Sequence, residues 1–130
     1  MILIAGDIFD AFNPPVESVE LFYKTIKKLS HQGKTPVIVI AGNHDSPDRI
    51  EAPDALALED AIIFAGYPDI QIRKFKNEAG VELINADKGF IELKHPKFNY
   101  PVRIILGPYA NQFRLKKYFG VEDEESELRN

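Results

Sequence analysis

The 130-residue sequence contains no cysteine and no tryptophan. Without cysteine it can form neither a disulfide nor a thiolate metal site, and a cytoplasmic location fits this composition. It also lacks any apolar run near the roughly 18 residues that span a membrane, so we expect no membrane contact. The apolar opening at residues 1–5 has no basic flank, which indicates a strand and not a signal peptide.

The chain has no excess of positive charge. It carries 16 basic and 20 acidic residues, a net charge of -4. Overall electrostatics therefore give no support for nucleic-acid binding, and phosphate binding would need local features such as bound cations. The length indicates one domain, and 45% hydrophobic residues suit a globular protein.

Residues 1–45 predict a strand, a helix and a second strand. The apolar runs 2–5 and 37–41 each stop at a glycine, and such continuous runs are typical of strands buried on both faces. Between them, apolar residues recur at helical spacing over 16–29. A right-handed crossover makes the two strands parallel, so both end at the same edge of the sheet. Ligands bind at that edge in open α/β sheets.

The remaining sequence predicts further α/β structure. We expect a short helix at 54–60, a third buried strand at 61–65 and a helix at 111–119. Strands are predicted at 70–75, 81–84, 90–93 and 102–106, separated by turn residues. The acidic tail 121–130 is expected to be frayed or to begin another helix. We interpret 1–130 as one incomplete α/β domain, in which 1–66 forms the βαβ half and 67–130 is mostly β with a C-terminal helix.

Two short loops after the predicted strands carry metal-competent side chains. They read Gly6-Asp7-Ile8-Phe9-Asp10 and Gly42-Asn43-His44-Asp45. Glycine allows a sharp turn, while carboxylate and amide oxygens with imidazole nitrogen suit Mn²⁺, Fe or Zn²⁺ better than Ca²⁺. Two such cations about 3.5–4 Å apart can bind a phosphate ester and generate the hydroxide that attacks it. Taken singly, each loop is also compatible with an ordinary turn.

The paired loops resemble the second and third signature motifs of the calcineurin-like metallophosphoesterases. Their longer context, running on to Asn13-Pro14-Pro15 and to Ser46-Pro47, is similar to SbcD-type exonuclease subunits. The resemblance is strong over 1–68 and thin over 69–101. It implies a sandwich of two mixed sheets flanked by helices, a metal-dependent nuclease activity in DNA-end processing and double-strand break repair, and two divalent metal ions, with Mn²⁺ expected.

The resemblance also implies roles for individual residues. Asp7 corresponds to the carboxylate that bridges the metals, and Asn43 to a ligand of the second metal. His44 resembles the catalytic histidine that faces the phosphate, with Asp45 as the partner that orients its ring. Asp10 is similar to a position close to the site whose role varies within the family, and we expect it to lie behind the metal ligands. The family further implies DNA, an SbcC-type ATPase subunit and a second nuclease subunit as partners.

Other motifs of the family have no counterpart here. The family pattern opens with Asp-x-His some tens of residues before the Gly-Asp loop, and it ends with a single His and then Gly-His-x-His. His31 and His95 match neither and are expected at the surface. We therefore expect a fragment that lacks the opening strand and the later ligands, is inactive by itself, and exposes an apolar sheet edge at 1–5.

Two other hypotheses remain open at this stage. The same loops could serve a metallophosphoesterase acting on small molecules or phosphoproteins, because the chemistry does not encode the substrate. Alternatively, the chain could be a truncated, non-catalytic binding module.

Overall fold

A computed structural model describes residues 1–51 and 57–119, together with the side chains of 1–51 and 57–115. Three parallel strands, β1 (Ile2–Ala5), β2 (Val37–Ile40) and β3 (Ile62–Ala65), form one sheet in the order β1-β2-β3. Helix α1 (Val16–Leu29) connects β1 to β2, as the apolar periodicity predicts. The register pairs Ala5, Ile40 and Ala65, so all three strands end at one edge.

The second sheet is antiparallel. It contains β4 (Phe75–Lys76), β5 (Glu82–Asp87), β6 (Phe90–Lys94) and β7 (Val102–Ile105) in sequence order. The parallel and antiparallel strands of the expected α/β architecture thus lie in separate sheets. A chain of neighbouring antiparallel strands needs only short turns, whereas each parallel pair needs a crossover.

Side-chain alternation along β2 explains the layering. Val37 and Val39 face a helical layer that includes Ile26 of α1, while Ile38 faces the antiparallel sheet. Val37, Ile38 and Val39 are each at most 3% exposed, since β2 is the central strand of its sheet. β3 alternates in the same way, with Phe64 toward the helices and Ile63 toward the second sheet. The described part of the chain therefore forms three layers: helices, parallel sheet, antiparallel sheet.

The remaining helices are short. α2 spans Pro47–Glu51, a 3₁₀ turn spans Leu58–Asp60, and α3 spans Gln112–Phe119. The predicted helix at 54–60 lies partly outside the described residues, and its described part contains this 3₁₀ turn. The expectations for the tail 121–130 lie wholly outside them.

Several strand bounds differ from the expected ones; the strand expected at 81–84, for example, spans Glu82–Asp87. The expected strand 70–75 is reduced to its last residue, because Ile70 N donates to Tyr67 O in a turn and Gly89 N donates to Ile70 O. The third strand begins at Ile62, one residue later than expected, because Ala61 has left-handed dihedrals (φ 56°) where it caps the 3₁₀ turn. No helix in the described ranges is both long enough and apolar enough to cross a membrane.

Candidate metal centre

The loops that follow β1 and β2 touch each other at the carboxyl edge of the parallel sheet. Gly6 N donates to Ile40 O at 3.0 Å, so the pairing of the two strands continues into the first loop. A Cβ atom on Gly42 would overlap the Asp7 backbone nitrogen and Oδ1, and would lie 3.0 Å from Asp7 Cγ. Only glycine at position 42 leaves the Asp7 carboxylate in this place.

Asp7 lies at the centre of the contact between the loops. Its backbone has left-handed dihedrals (φ 44°), a strained conformation for a residue with a side chain. Its Oδ1 accepts a hydrogen bond from His44 N at 3.2 Å, and its Oδ2 lies 3.3 Å from His44 Nδ1. Both side chains are about half exposed, at 49% and 58%, so an incoming substrate can reach them.

Asn43 points its amide at the same carboxylate. The nearer terminal atom of the amide lies 3.0 Å from Asp7 Oδ1 and 3.2 Å from Oδ2. If that atom is nitrogen, it donates to both oxygens. If it is the amide oxygen, three oxygen atoms converge without a proton between them, an arrangement that suits a hard cation.

This donor set fits a divalent metal in part. Asp7 and Asn43 would supply one carboxylate and one amide oxygen, whereas hard cations take six or more ligands. Within residues 1–51 and 57–119, no group of three or more His, Cys, Asp or Glu side chains is placed to hold an ion. The described residues would thus supply one side of a metal centre and would leave most coordination positions to other groups or water.

Asp45 has a different part in the structure from the one expected of it. Its side chain is fully buried. Oδ2 accepts from Gly42 N at 2.8 Å and from Ile8 N at 3.1 Å, while Oδ1 accepts from Phe9 N at 3.2 Å. The carboxylate therefore joins the two loops through their backbones, and the carboxylate in contact with the His44 ring belongs to Asp7.

Sequence reasoning gave no role to Arg114, yet it holds the second loop from behind. The residue is 3% exposed. Nη1 donates to Gly42 O at 3.0 Å and Nη2 donates to Asp45 O at 2.6 Å, so the guanidinium spans the residues on either side of Asn43 and His44. The same Nη1 donates to Tyr109 O at 3.1 Å, and the guanidinium lies 5.1 Å from the centre of the Tyr109 ring.

Glu51 fastens the loop after β3 in a similar way, and it too was missed. Its Oε2 accepts from Gly66 N at 2.8 Å and from Tyr67 N at 2.7 Å. The loops after all three parallel strands are therefore held by side chains from outside their own strands. The hydrogen-bond partners of Glu51 and Arg114 lie 15 to 72 residues away, so spacing along the chain does not reveal these contacts.

Two further residues near the first loop are at the surface. Asp10 is exposed at the end of that loop. Arg49 is exposed and donates from Nη2 to Asn13 Oδ1 at 3.2 Å. Burial raises the pKa of Tyr23, and the positive charge of Arg49 partly opposes that rise.

Most of the chain is similar to proteins of a known family. The family model described as calcineurin-like phosphoesterase matches residues 1–121. The SbcD component of the SbcCD nuclease from Bacillus subtilis (strain 168) is 51% identical over 67 residues, which are 52% of this chain and 17% of that protein.

Two more relatives are similar over shorter segments. The SbcD component of the SbcCD nuclease from Staphylococcus epidermidis is 42% identical over 50 residues, 38% of this chain and 13% of that protein. "DNA double-strand break repair protein Mre11" of Methanocaldococcus jannaschii is 36% identical over 58 residues, 45% of this chain and 16% of that protein. The matched segments thus span less than a fifth of each of these relatives.

Proposed function

The chain belongs to the calcineurin-like phosphoesterase family, and from this premise we propose that it is part of a metal-dependent nuclease that hydrolyses phosphodiester bonds in DNA during DNA-end processing and double-strand break repair. The observation that carries the proposal is the convergence of Asp7, Asn43 and His44 at one exposed edge. The names of the relatives, which describe nuclease subunits and a break-repair protein, favour DNA as the substrate.

In this proposal, Asp7 and Asn43 would hold a pair of divalent ions, for which we propose Mn²⁺. Bound there, the ions would supply a hydroxide and neutralise charge on the phosphate. Asp7 also orients the imidazole, because its Oδ2 lies beside His44 Nδ1. The other ring nitrogen, Nε2, is then the one to donate a hydrogen bond to the phosphate or a proton to the leaving oxygen.

Asp45 and Arg114 would keep that arrangement in place. Asp45 binds the backbone of both loops, and Arg114 binds the carbonyl groups on either side of Asn43 and His44. We assign Asp10 a supporting position beside the ligands. The full protein would act with an SbcC-type ATPase subunit and as a homodimer, as the family resemblance implies, and in the cytoplasm, a location that the cysteine-free composition fits.

The isolated chain is expected to be inactive, because its described residues supply too few ligands. Calorimetric titration with Mn²⁺ should give weak binding, and incubation with linear DNA should give no turnover. Manganese-dependent turnover that Asp7→Ala abolishes would contradict the inactivity while supporting the nuclease assignment.

A chimera tests the assignment itself. Replacing the matching 67-residue segment of the Bacillus subtilis protein with the segment from this chain should preserve Mn²⁺-dependent DNA cleavage. His44→Ala in the chimera should lower kcat by about 10²- to 10⁴-fold, the usual contribution of a general acid or base. Lys24→Ala, at an exposed position of α1 and outside both loops, is the matched control.

Two results would count against the proposal. A folded chimera without DNA cleavage would show that these loops do not support the reaction. Cleavage of a small phosphodiester such as bis(p-nitrophenyl) phosphate, with DNA left intact, would favour the small-molecule alternative.

A further inference from the structure

We propose that the connection between β6 and β7 forms a binding platform for single-stranded DNA, at the end of the molecule opposite the metal centre. The platform consists of the rings of His95, Phe98 and Tyr100 with the basic side chains of Lys34 and Lys97. The inference deepens the proposed function and rests on it for the choice of a nucleic acid as ligand.

The three rings form a continuous ladder. The centres of His95 and Phe98 are 5.0 Å apart, and the rings of Phe98 and Tyr100 are nearly parallel, with an interplanar angle of 7° and centres 5.9 Å apart. The rings become more exposed toward the end of the ladder: Phe98 is 39% exposed and Tyr100 is 65% exposed. A parallel exposed ring at the end of a ladder offers a face on which a base can stack.

The inner ring of the ladder is fixed in place. Lys97 N donates to His95 Nδ1 at 3.1 Å, so Nδ1 must be unprotonated and Nε2 carries the hydrogen. That Nε2–H donates to Lys34 O at 2.8 Å, which ties the ladder to the turn after α1. Pro96 and Pro101, on either side of Phe98 and Tyr100, further restrict the backbone. The rings are therefore ordered before any ligand arrives, which lowers the entropy lost on binding.

Local charge differs in sign from that of the whole chain. Residues 94–101, which carry the ladder, contain two basic residues and no acidic residue, although the net charge of the chain is -4. The groove beside the ladder is lined by His31, Gln32, Lys34, Thr35, Ala79, His95, Pro96 and Lys97, with no carboxylate among them. Phosphate groups could occupy this groove while a base stacks on Tyr100.

The platform is separated from the metal centre by the length of the parallel sheet. Lys34 precedes the start of β2, whereas Gly42 follows its end, and Val37 to Gly42 alone spans about 17 Å at roughly 3.3 Å per residue. A strand that reaches from one site to the other would cover several nucleotides. Binding at the platform can therefore be measured independently of the hydrolytic site.

The test is fluorescence anisotropy with a labelled oligothymidine, using the 130-residue chain in EDTA so that no cleavage occurs. Tyr100→Ala should raise the Kd at least about fivefold, since stacking is lost, whereas Tyr100→Phe should bind like the parent chain. Tyr100→Leu keeps an apolar side chain without an aromatic face and should bind as weakly as Tyr100→Ala. Circular dichroism of each variant would establish that it folds.

Charge reversal gives an independent measurement. Lys97→Glu should weaken binding and flatten the dependence of log Kd on log salt by about 0.7 or more, the value for loss of one phosphate contact. Lys24→Glu on α1 makes the same charge change outside the platform and should leave that slope unaltered.

The proposal is overturned if Tyr100→Ala and Lys97→Glu bind as the parent chain does, or if Tyr100→Leu retains full affinity. Equal competition by duplex DNA would also overturn it, because paired bases cannot stack on the ladder. None of these results depends on the metal centre. A 67-residue segment that carries both loops does not reach Phe98 and Tyr100, so loss of cleavage in the folded chimera would contradict the proposed nuclease alone. Oligothymidine binding by the 130-residue chain that the platform substitutions leave unchanged would contradict this inference alone.

Discussion

At the scale of single residues, a substitution at Gly42 would disturb the proposed metal centre directly. Gly42→Ala would force the new methyl group into the Asp7 nitrogen and carboxylate, so the first loop must shift. We expect a loss of about 1–3 kcal/mol in stability and a clear loss of Mn²⁺ affinity. Chemical denaturation and calorimetric titration measure the two effects.

Gly107→Ala is the matched control for this substitution. A Cβ atom at position 107 would have no atom within 4 Å, so both stability and metal affinity should remain close to those of the parent chain. Equal effects of the two substitutions would show that the contact between Gly42 and Asp7 is not what holds the site.

Asp45 shows which part of a side chain's role can be predicted from the sequence motif and which part cannot. The motif drew attention to Asp45, and its carboxylate is buried under three backbone N–H groups from the two loops. Two of those donors, Ile8 and Phe9, lie 36 or more residues away in sequence. Spacing along the chain alone could not distinguish a carboxylate that joins two loops from one that contacts the neighbouring His44 ring.

At the scale of elements, Arg114 connects α3 to the loop after β2. Arg114→Lys would retain the positive charge but lose the planar guanidinium, whose two terminal nitrogen atoms donate to Gly42 O and Asp45 O at the same time. We expect a stability loss of about 1–3 kcal/mol, measured by denaturation, together with weaker Mn²⁺ binding. Arg73→Lys, an exposed position, should change neither. If Arg114→Lys leaves the metal affinity unchanged, Arg114 contributes to stability and not to metal binding.

The pairing of β6 with β7 predicts a pH dependence. The hydrogen bond from Arg103, helped by Asn85, lowers the pKa of Glu92 below its ordinary value of 4.5. Between the lowered pKa of the folded chain and 4.5, the unfolded chain therefore binds more protons at Glu92 than the folded chain does. The stability that the Glu92–Arg103 pair contributes is thus present above pH 4.5 and is lost as the pH falls through the pKa of Glu92 in the folded chain. Thermal unfolding of Glu92→Gln should show a shallower decline in this acid range. A decline equal to that of the parent chain would contradict the linkage.

At the scale of the whole molecule, both sheets present an apolar edge on the same side. Leu3 of β1 is 62% exposed and Ile105 of β7 is 85% exposed, and both line one apolar groove between the sheet edges. This agrees with the exposed edge that the sequence predicted for residues 1–5. Open apolar edges favour self-association through added strands.

Introducing charge at these edges should therefore reduce self-association. Leu3→Lys combined with Ile105→Lys is expected to lower the scattered light intensity of concentrated solutions. Leu21→Lys is the control, since Leu21 is 68% exposed but lies on α1 away from the groove. If all variants associate equally, the edges are not the cause.

The sequence by itself determined the parallel strands, the crossover helix and the two loops that carry Asp7, Asn43 and His44. These features follow from local apolar periodicity and from glycine at strand ends. Only the tertiary structure decided the clamp by Asp45, the anchors Arg114 and Glu51, and the division into two sheets. Their hydrogen bonds join residues up to 72 positions apart, and sequence patterns record spacing along the chain but not which distant groups meet.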